Sequence, residues 1–496
     1  MPATSSVPCQ PLMTGATPPE SGGTPVTGGA AAARELVVPE PSLVLLVGAS
    51  GSGKSTFARA RFKPTEVVSS DFCRALVADD EDDQMATADA FEVLRVIVGK
   101  RLAAGRLTVV DATNVRSDAR RGLVALAREH DVPSVAIVLD APAEVCLARN
   151  AARPERGISE RVVREQLDQL HGERSALSGE GFAAVHTLVG VAEIDAATVQ
   201  RASLPSDLRS QPGPFDVIGD VHGCAAELAA LLGRLGYRLA RDGAGRLIGA
   251  RHPDRRVVFV GDLVDRGPDV PGVLGLVMGM VEAGDAWCVR GNHDNRLARA
   301  LRGRDVRRSH GLAESLDQLA AEPAEFRARV ERFLDGLVSH YVLDGGRLVV
   351  AHAGLIERYQ GRASRRVQAF CMFGHTTGET DEYGLPVRYP WARDYRGPAM
   401  VLYGHTPVPT PEWVNNTLCL DTGCVFGGWL TALRYPEREL VAVPAARVYY
   451  QSAKPFPANR LAEPVAVAAR EPTAPSAAPP EPSRPAVEST NQEDKR

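Results

Sequence analysis

The sequence predicts two consecutive α/β domains between disordered ends, on three observations. A short apolar run at residues 42–47 feeds a glycine-rich turn that opens a helix, as a buried parallel strand does. Further apolar runs at 107–110 and 134–139 alternate with helical stretches, the rhythm of a parallel sheet covered by helices. Downstream, five more apolar runs each stop at a turn bearing Asp, His or Asn. At 496 residues the chain is also too long for one core. Residues 1–38 and 454–496 are rich in Pro, Ala, Ser, Thr, Gly and Glu and bury too little apolar surface to offset ordering entropy. They are expected to be disordered tails. The first domain is then placed at 39–206 and the second at 207–453, with residues 178–212 read as a mixed connecting stretch ending in Gln211-Pro212-Gly213-Pro214.

Composition is that of an ordinary globular chain, 44% hydrophobic and 24% charged. A net charge of −4 excludes a global basic field, so any polyanion must be held by local arginine clusters. The eight cysteines are scattered without a C-x-x-C pair, which reads as reduced thiols. No apolar run approaches the roughly 20 residues needed to span a bilayer, and the first residues lack the order of a signal peptide. A cytoplasmic protein without membrane attachment is expected.

In the first domain, Gly48-Ala49-Ser50-Gly51-Ser52-Gly53-Lys54-Ser55-Thr56 fits G-x-x-x-x-G-K-[ST] in the setting that gives the pattern meaning, strand before and helix after. Gly48, Gly51, Ser52 and Gly53 let backbone N–H groups curl around phosphate oxygens. Lys54 reaches the β- and γ-phosphates, the Ser55 hydroxyl binds Mg²⁺, and Thr56 continues the helix start. The expected cofactor is ATP, or another NTP, with Mg²⁺. Asp71 ends the next apolar run and by itself reads as a helix N-cap. Small P-loop kinases place a phospho-acceptor contact at this point, and Arg74 lies one helical turn on. Asp111, at the end of 107–110, suits an outer Mg²⁺ ligand. Arg149 and Arg153, four apart, would stack on one helix face, either as a solvated face or as a lid whose guanidinium groups grip phosphate.

In the second domain the run ends are Asp220-Val221-His222, Asp262-Leu263-Val264-Asp265-Arg266-Gly267, Asn292-His293-Asp294, His352 and His405. Asp262 has two oxygens, enough to bridge two metals about 3.5–4 Å apart. Asp220, His222, Asn292, His352 and His405 complete a mixed O/N set that suits two divalent transition metals, Mn²⁺ first. His293 would serve the leaving oxygen, oriented by Asp294, and Arg266 would hold the substrate phosphate. The arginines from Arg296 to Arg308 read equally well as a nucleic-acid grip or as an exposed helix face.

These motifs, G-D-x-H-G, G-D-x-x-D-R-G, G-N-H-D, a later His and G-H-T, resemble those of the calcineurin-like metallophosphoesterases. That resemblance implies a two-sheet sandwich flanked by helices, with Asp220, His222 and Asp262 on one metal. It places Asp262, Asn292, His352 and His405 on the other. Asp421, in Leu420-Asp421-Thr422-Gly423, would stand behind the ligands or touch substrate.

The fusion, the Ser69-Ser70-Asp71-Phe72-Cys73-Arg74 segment and the Arg149/Arg153 pair together resemble bacterial polynucleotide kinase-phosphatase over residues 42–455. The resemblance implies a bifunctional end-healing enzyme acting on RNA ends, with DNA as a further substrate. ATP-dependent phosphorylation of 5′-OH ends would pair with removal of 2′,3′-cyclic and 3′ phosphates. Asp71 would be the general base, Arg74 an acceptor contact, and Arg149 and Arg153 stabilisers of the transferring phosphoryl group. Longer members carry an adenylyltransferase domain with K-x-D-G. No such motif occurs here, so healing without sealing is expected, with a separate RNA ligase or RNA 3′-end methyltransferase as partner and room for a homodimer. Two other readings stand beside it. One is a Ser/Thr protein or dinucleoside-polyphosphate phosphatase fused to a small-molecule kinase. The other is an NTP-dependent switch or scaffold.

Overall fold

The structure, a computed structural model, describes residues 34–153, 158–452, 454 and 456. The expected tails lie outside the described residues except at 34–38, 454 and 456, as do residues 154–157. The expected first boundary at 38 is corrected. Leu36 and Val38 are fully buried in β1 (Glu35–Glu40), which pairs in parallel with a strand over 160 residues later. Two apolar positions on one side of a six-residue strand suffice to anchor it.

The first domain continues through β2 (Leu43–Val47), α1 (Lys54–Arg61), β3 (Val67–Ser69), α2 (Ser70–Ala78) and α3 (Thr87–Ala103). It goes on through β4 (Thr108–Asp111), α4 (Ser117–Glu129), β5 (Ser134–Asp140), α5 (Ala143–Ala151) and α6 (Glu160–Glu173). β6 (Ala184–Val189), α7 (Gly190–Ala196) and β7 (Thr198–Ser203) close it. Five strands form one parallel sheet in the order β3-β4-β2-β5-β6. Every residue of β2 is buried because both faces are covered. Val44 and Leu46 point into one core with Phe57 and Ile137, while Leu43 and Leu45 point into the other with Leu94 and Val110. The stretch 178–212, expected as a connector, supplies the edge strand β6 and the β1 partner β7. These strands are only half-buried, so their apolar pattern is weak.

The second domain begins with β8 (Asp207–Leu208), β9 (Phe215–Ile218), α8 (Ala225–Arg234), β10 (Arg238–Arg241), β11 (Leu247–Arg251) and β12 (Arg256–Phe259). It continues with α9 (Val270–Glu282), β13 (Ala286–Cys288), α10 (Asn292–Leu301), α11 (Leu312–Ala320), α12 (Ala324–Gly336), β14 (His340–Leu343) and β15 (Leu348–Ala351). α13 (Arg365–Phe373), the hairpin β16 (Thr376–Thr380) and β17 (Pro386–Arg388), β18 (Met400–Tyr403), β19 (Trp413–Val414) and β20 (Thr417–Cys419) follow. β21 (Trp429–Tyr435) and β22 (Glu439–Pro444) end it. Two sheets, β13-β12-β9-β21-β22 and β19-β20-β18-β15-β14-β8, face each other. Val217, Val258 and Val260 meet Leu348, Val350, Leu402 and Leu418 between them. α8 and α9 cover one outer face, and α13 with Trp391 and Tyr395 covers the other. This is a two-sheet α/β sandwich, with β9, β12, β15 and β18 all ending toward one rim.

The domains touch through residues 362–366. Arg362 donates to the carbonyls of Leu102 (2.7 Å) and Ala103 (2.7 Å) at the end of α3, and Asp131 accepts from Ser364 and Arg366. Among the described residues no helix is long and apolar enough to cross a membrane, and the seven cysteines there are buried free thiols.

Candidate active sites

In the first domain the glycine-rich turn leaves the carboxyl end of β2, and Gly53 caps α1 in a left-handed conformation (φ 98°) open to glycine. A Cβ on Gly48 would sit 2.6 Å from the Ser52 hydroxyl, so these two small residues pack the turn shut. Lys54 donates to the carbonyls of Gly48 (2.9 Å) and Ala49 (2.8 Å). Gly51, Gly53, Lys54, Ser55 and Thr56 wall an open cavity of about 560 Å³ with Asp71, Arg74, Asp111, Arg149 and Arg153. The sequence-predicted residues thus converge, with two corrections. Asp71 is not the N-cap of α2. Ser69 is, its hydroxyl accepting from the Asp71 N–H at 3.2 Å, which frees the Asp71 carboxylate to pair with Arg74 at 3.1 Å. Arg149 and Arg153 do not share a helix face, because α5 ends at Ala151. Arg149 lies over the turn, its guanidinium 3.4 Å from the Gly51 carbonyl, and Arg153 joins from the following coil.

In the second domain the ligand-type side chains gather at the rim where the strands end. Asp262 follows β12, His352 follows β15, and His405 follows β18. His222, Asp262, Asp265, Arg266 and His405 all adopt positive φ, between 45° and 73°. Non-glycine residues hold that strained backbone only where surrounding contacts enforce it, which is typical of functional sites. Two glycines let carboxylates in. A Cβ on Gly404 would lie 1.9 Å from an Asp220 oxygen, and one on Gly291 would lie 2.1 Å from an Asp262 oxygen.

Asp262 is the hub. Its Oδ2 lies 3.7 Å from His222 Nε2 and 3.4 Å from His352 Nε2, while Asn292 Oδ1 is 2.9 Å and His405 Nδ1 3.0 Å from His352 Nε2. Two overlapping groups result, His222–Asp262–His293 and Asp262–His352–His405. Asp220 stands beside them, accepting from the His405 N–H at 3.1 Å.

The residues fit a pair of cations. His222 Nδ1 meets the Val264 carbonyl (2.8 Å) and His352 Nδ1 the Val260 carbonyl (3.0 Å), so each must donate there. Both Nε2 atoms then face the Asp262 carboxylate, His222 with a lone pair to offer. Burial would lower His352, but Asp262 raises it and favours a proton on its Nε2 where a cation would bind. Burial keeps His222 and His405 well below the ordinary histidine range, as neutral imidazoles. Burial would raise the Asp262 carboxyl, but His352 and His293 outweigh it and hold it well below the usual range. Burial, with Asp421 and Asp262 nearby, pushes Asp220 well up, and burial takes Asp421 to about 6. Imidazole nitrogens and carboxylates converging on one buried carboxylate are a cation's donor set.

Two residues work differently from expectation. Asp294 does not orient His293. Its carboxylate accepts from the N–H groups of Asp262 (2.8 Å), Leu263 (3.0 Å) and Gly291 (3.0 Å), pinning two ligand loops together. Burial, with Asp262 alongside, pushes it up to about 7. Asp265 orients His293 instead: its Oδ2 lies 2.6 Å from His293 Nδ1, and Ser315 holds its other oxygen at 2.7 Å. The second Asp of G-D-x-x-D-R-G is the available signal. Arg388 also escapes the sequence reading. It comes from the β16–β17 hairpin and places its guanidinium 2.8 Å from His405 Nε2, and no motif marks it. Across the cluster, Arg266 lies 2.9 Å from His222 Nε2, so two guanidinium groups bracket the ligands. Asp421 accepts from the Gly423 N–H and lies near Asp220 rather than in the cluster itself. Of the arginine run, Arg296 is tied to the carbonyls of Arg307 and Ser309.

Residues 43–177 match the AAA domain family and residues 213–410 the calcineurin-like phosphoesterase family. The asymmetrical bis(5′-nucleosyl)-tetraphosphatase PrpE of Geobacillus sp. (strain WCH70) is 45% identical over 240 residues, 47% of this chain and 96% of that protein. The PrpE tetraphosphatase of Anoxybacillus flavithermus is 43% identical over 248 residues, 49% of this chain and 99% of that protein. Matches of this extent agree with the two-metal donor set, and the chain belongs to the calcineurin-like phosphoesterases, its phosphoesterase domain preceded by a P-loop domain of the AAA type.

Proposed function

We propose that the chain heals polynucleotide ends, the P-loop domain phosphorylating 5′-hydroxyls and the phosphoesterase domain removing 2′,3′-cyclic or 3′ phosphates. The observation that carries this reading is the acceptor side of the first cavity. Asp71 and Arg74 face the P-loop across it, an acid and a guanidinium placed for a hydroxyl acceptor. On this reading Asp71 takes the proton of the attacking hydroxyl, while Lys54, Arg149 and Arg153 neutralise the transferring phosphoryl group and Asp111 supports Mg²⁺. ATP or another NTP is the donor, and RNA ends the acceptor, with DNA ends and a separately encoded ligase or methyltransferase as further partners.

In the second domain, Asp220, His222, Asp262, Asn292, His352 and His405 would hold two divalent metals, which supply an activated water and a Lewis acid for the phosphate. Arg266 and Arg388 grip the phosphate oxygens from either side. His293, held by Asp265, delivers a proton to the leaving oxygen. A cavity of about 740 Å³ adjoins His405, walled by Arg388, Tyr389, Trp391 and Tyr403. Aromatic faces beside a phosphate site suit a nucleoside.

The PrpE relatives favour a second reading, cleavage of dinucleoside tetraphosphates by the same centre. A panel of RNAs with 3′-phosphate or 2′,3′-cyclic ends, diadenosine tetraphosphate and phosphopeptides separates them, run beside a 5′-OH RNA kinase assay. RNA ends should be the preferred substrates in both. A dinucleotide preference with no transfer to RNA 5′-OH would reject end healing.

A further inference from the structure

Behind the catalytic ligands, three buried side chains gather that the reaction does not use. Cys224 is the N-cap of α8 and fully buried. Glu227 is the third residue of that helix and 4% exposed. Cys424 starts the short helical turn after Asp421-Thr422-Gly423 and is 2% exposed. One ligand atom from each lies within 4.8 Å of the others. The Glu227 carboxylate is half satisfied. Its Oε1 accepts from the Ala446 N–H (3.0 Å) and the Tyr449 hydroxyl (2.7 Å), whereas its Oε2 is buried with no hydrogen-bond partner. A buried carboxylate oxygen left without donor or cation is costly, and native structures rarely keep one.

We propose that Cys224, Glu227 and Cys424 form a third metal site, for a thiophilic divalent cation such as zinc. Two sulfurs and one carboxylate oxygen make a donor set that Zn²⁺ accepts and that Mg²⁺ and Ca²⁺ do not. The cation fills the place facing Glu227 Oε2, and the two thiols give up their protons to solvent as it binds. The site has a structural use. Cys224 lies two residues after His222 and Cys424 three after Asp421. Glu227 holds the segment at Ala446 and Tyr449, whose N–H also bonds the Val425 carbonyl. One ion would fasten three chain segments directly behind the catalytic loops.

Cobalt(II) separates this site from the catalytic pair, because only thiolate ligation produces a sulfur-to-cobalt charge-transfer absorption in the near ultraviolet. The catalytic donor set holds oxygen and nitrogen alone. The full chain, stripped with chelator under reducing conditions and reloaded with cobalt, should develop that absorption. Cys424→Ser should abolish it. Glu227→Gln, which keeps both sulfurs and the side-chain shape, should retain it with an affinity about tenfold weaker or more. The proposal is overturned if fully loaded wild-type protein shows no such band. It is overturned too if the band survives Cys424→Ser, or if thiol counting of unreduced protein finds Cys224 and Cys424 joined as a disulfide. Should Cys424→Ser fail to fold, unchanged cobalt affinity in Glu227→Gln would rule the site out in its place.

Discussion

The two phosphate-handling sites of this chain are built on opposite plans. At the phosphoesterase centre the groups are buried and held before any substrate arrives. Asp262, His222 and His352 are 0–4% exposed, and Asp294 clamps the Asp262 loop to the Asn292 loop through three backbone N–H groups. At the P-loop cavity the floor is fixed and Arg74 is buried against Asp71, but Arg149 is only loosely held. Arg149 sits in an exposed contact of 3.4 Å, and Lys54 bonds carbonyls of its own turn. The difference teaches where each site obtains its order. The hydrolytic centre is organised by the fold, whereas on the proposed reading the P-loop site would gather its cations around the charge of a bound nucleotide.

The sharpest break of this comparison is to disable each site alone. Lys54→Ala should lower phosphoryl transfer by about 10³-fold and leave phosphoester hydrolysis intact, and Asp262→Ala should do the converse. Both activities assayed on both variants decide it, since loss of both in either variant would show that the sites are not independent.

The contrast also explains what the sequence discloses. Buried ligands at strand ends follow apolar runs, so Asp262, His352 and His405 are visible as abrupt stops in Val-rich segments. The sheet of the first domain is visible for the same reason, β2 and β5 being almost wholly apolar. Support residues carry no such signature. Asp265 and Asp294 are both acids near the same motifs, and only three-dimensional contacts show that Asp265 holds His293 while Asp294 ties backbone. Arg388 comes from a two-stranded hairpin with an exposed first strand, which leaves no periodic trace. β6 and β7 resemble a connector because half-buried strands bury too few apolar residues to stand out.

A smaller effect tests that division of labour. Asp265→Asn should lower hydrolytic kcat by about 10²-fold with KM little changed, because His293 would lose the negative charge that orients its ring and favours its protonated form. Asp294→Asn should instead loosen the ligand loops and weaken metal binding. Steady-state kinetics beside metal titration of both variants would refute the assignment if the two effects were exchanged.

Preorganisation of the second domain extends to a histidine away from the metals. His340 is fully buried at the start of β14, accepting from the Gly361 N–H at 3.2 Å with its Nδ1 3.0 Å from the Ser339 hydroxyl. Burial, with Arg209 adding to it, lowers its pKa to about 4. The unfolded chain therefore takes up a proton near pH 6.5 that the folded one refuses until about pH 4. Stability is full above about 6.5 and falls between there and about 4, by about 3 kcal/mol. Denaturation curves across that window should show this loss, and His340→Gln should flatten it. An unchanged slope in the variant would assign the loss to other groups.

The smallest effect concerns the seam between the two plans. Arg362, from the loop before α13, donates to the last carbonyls of α3, where a helix leaves acceptors unsatisfied and its dipole favours positive charge. Asp131 in the first domain returns the contact, accepting from Ser364 (2.7 Å) and Arg366 (2.7 Å), the latter more than half exposed and so worth little. Arg362→Ala should then cost about 1 kcal/mol, chiefly from the Ala103 carbonyl, since the Leu102 carbonyl keeps the Gly105 N–H. Because each site is completed within its own domain, kcat at both should stay within about twofold while the seam becomes easier to open to protease. A fall of about tenfold or more in either activity would mean that the docking of residues 362–366 shapes a site. The phosphoesterase would be the one affected, since α13 runs from this contact straight to the hairpin that carries Arg388.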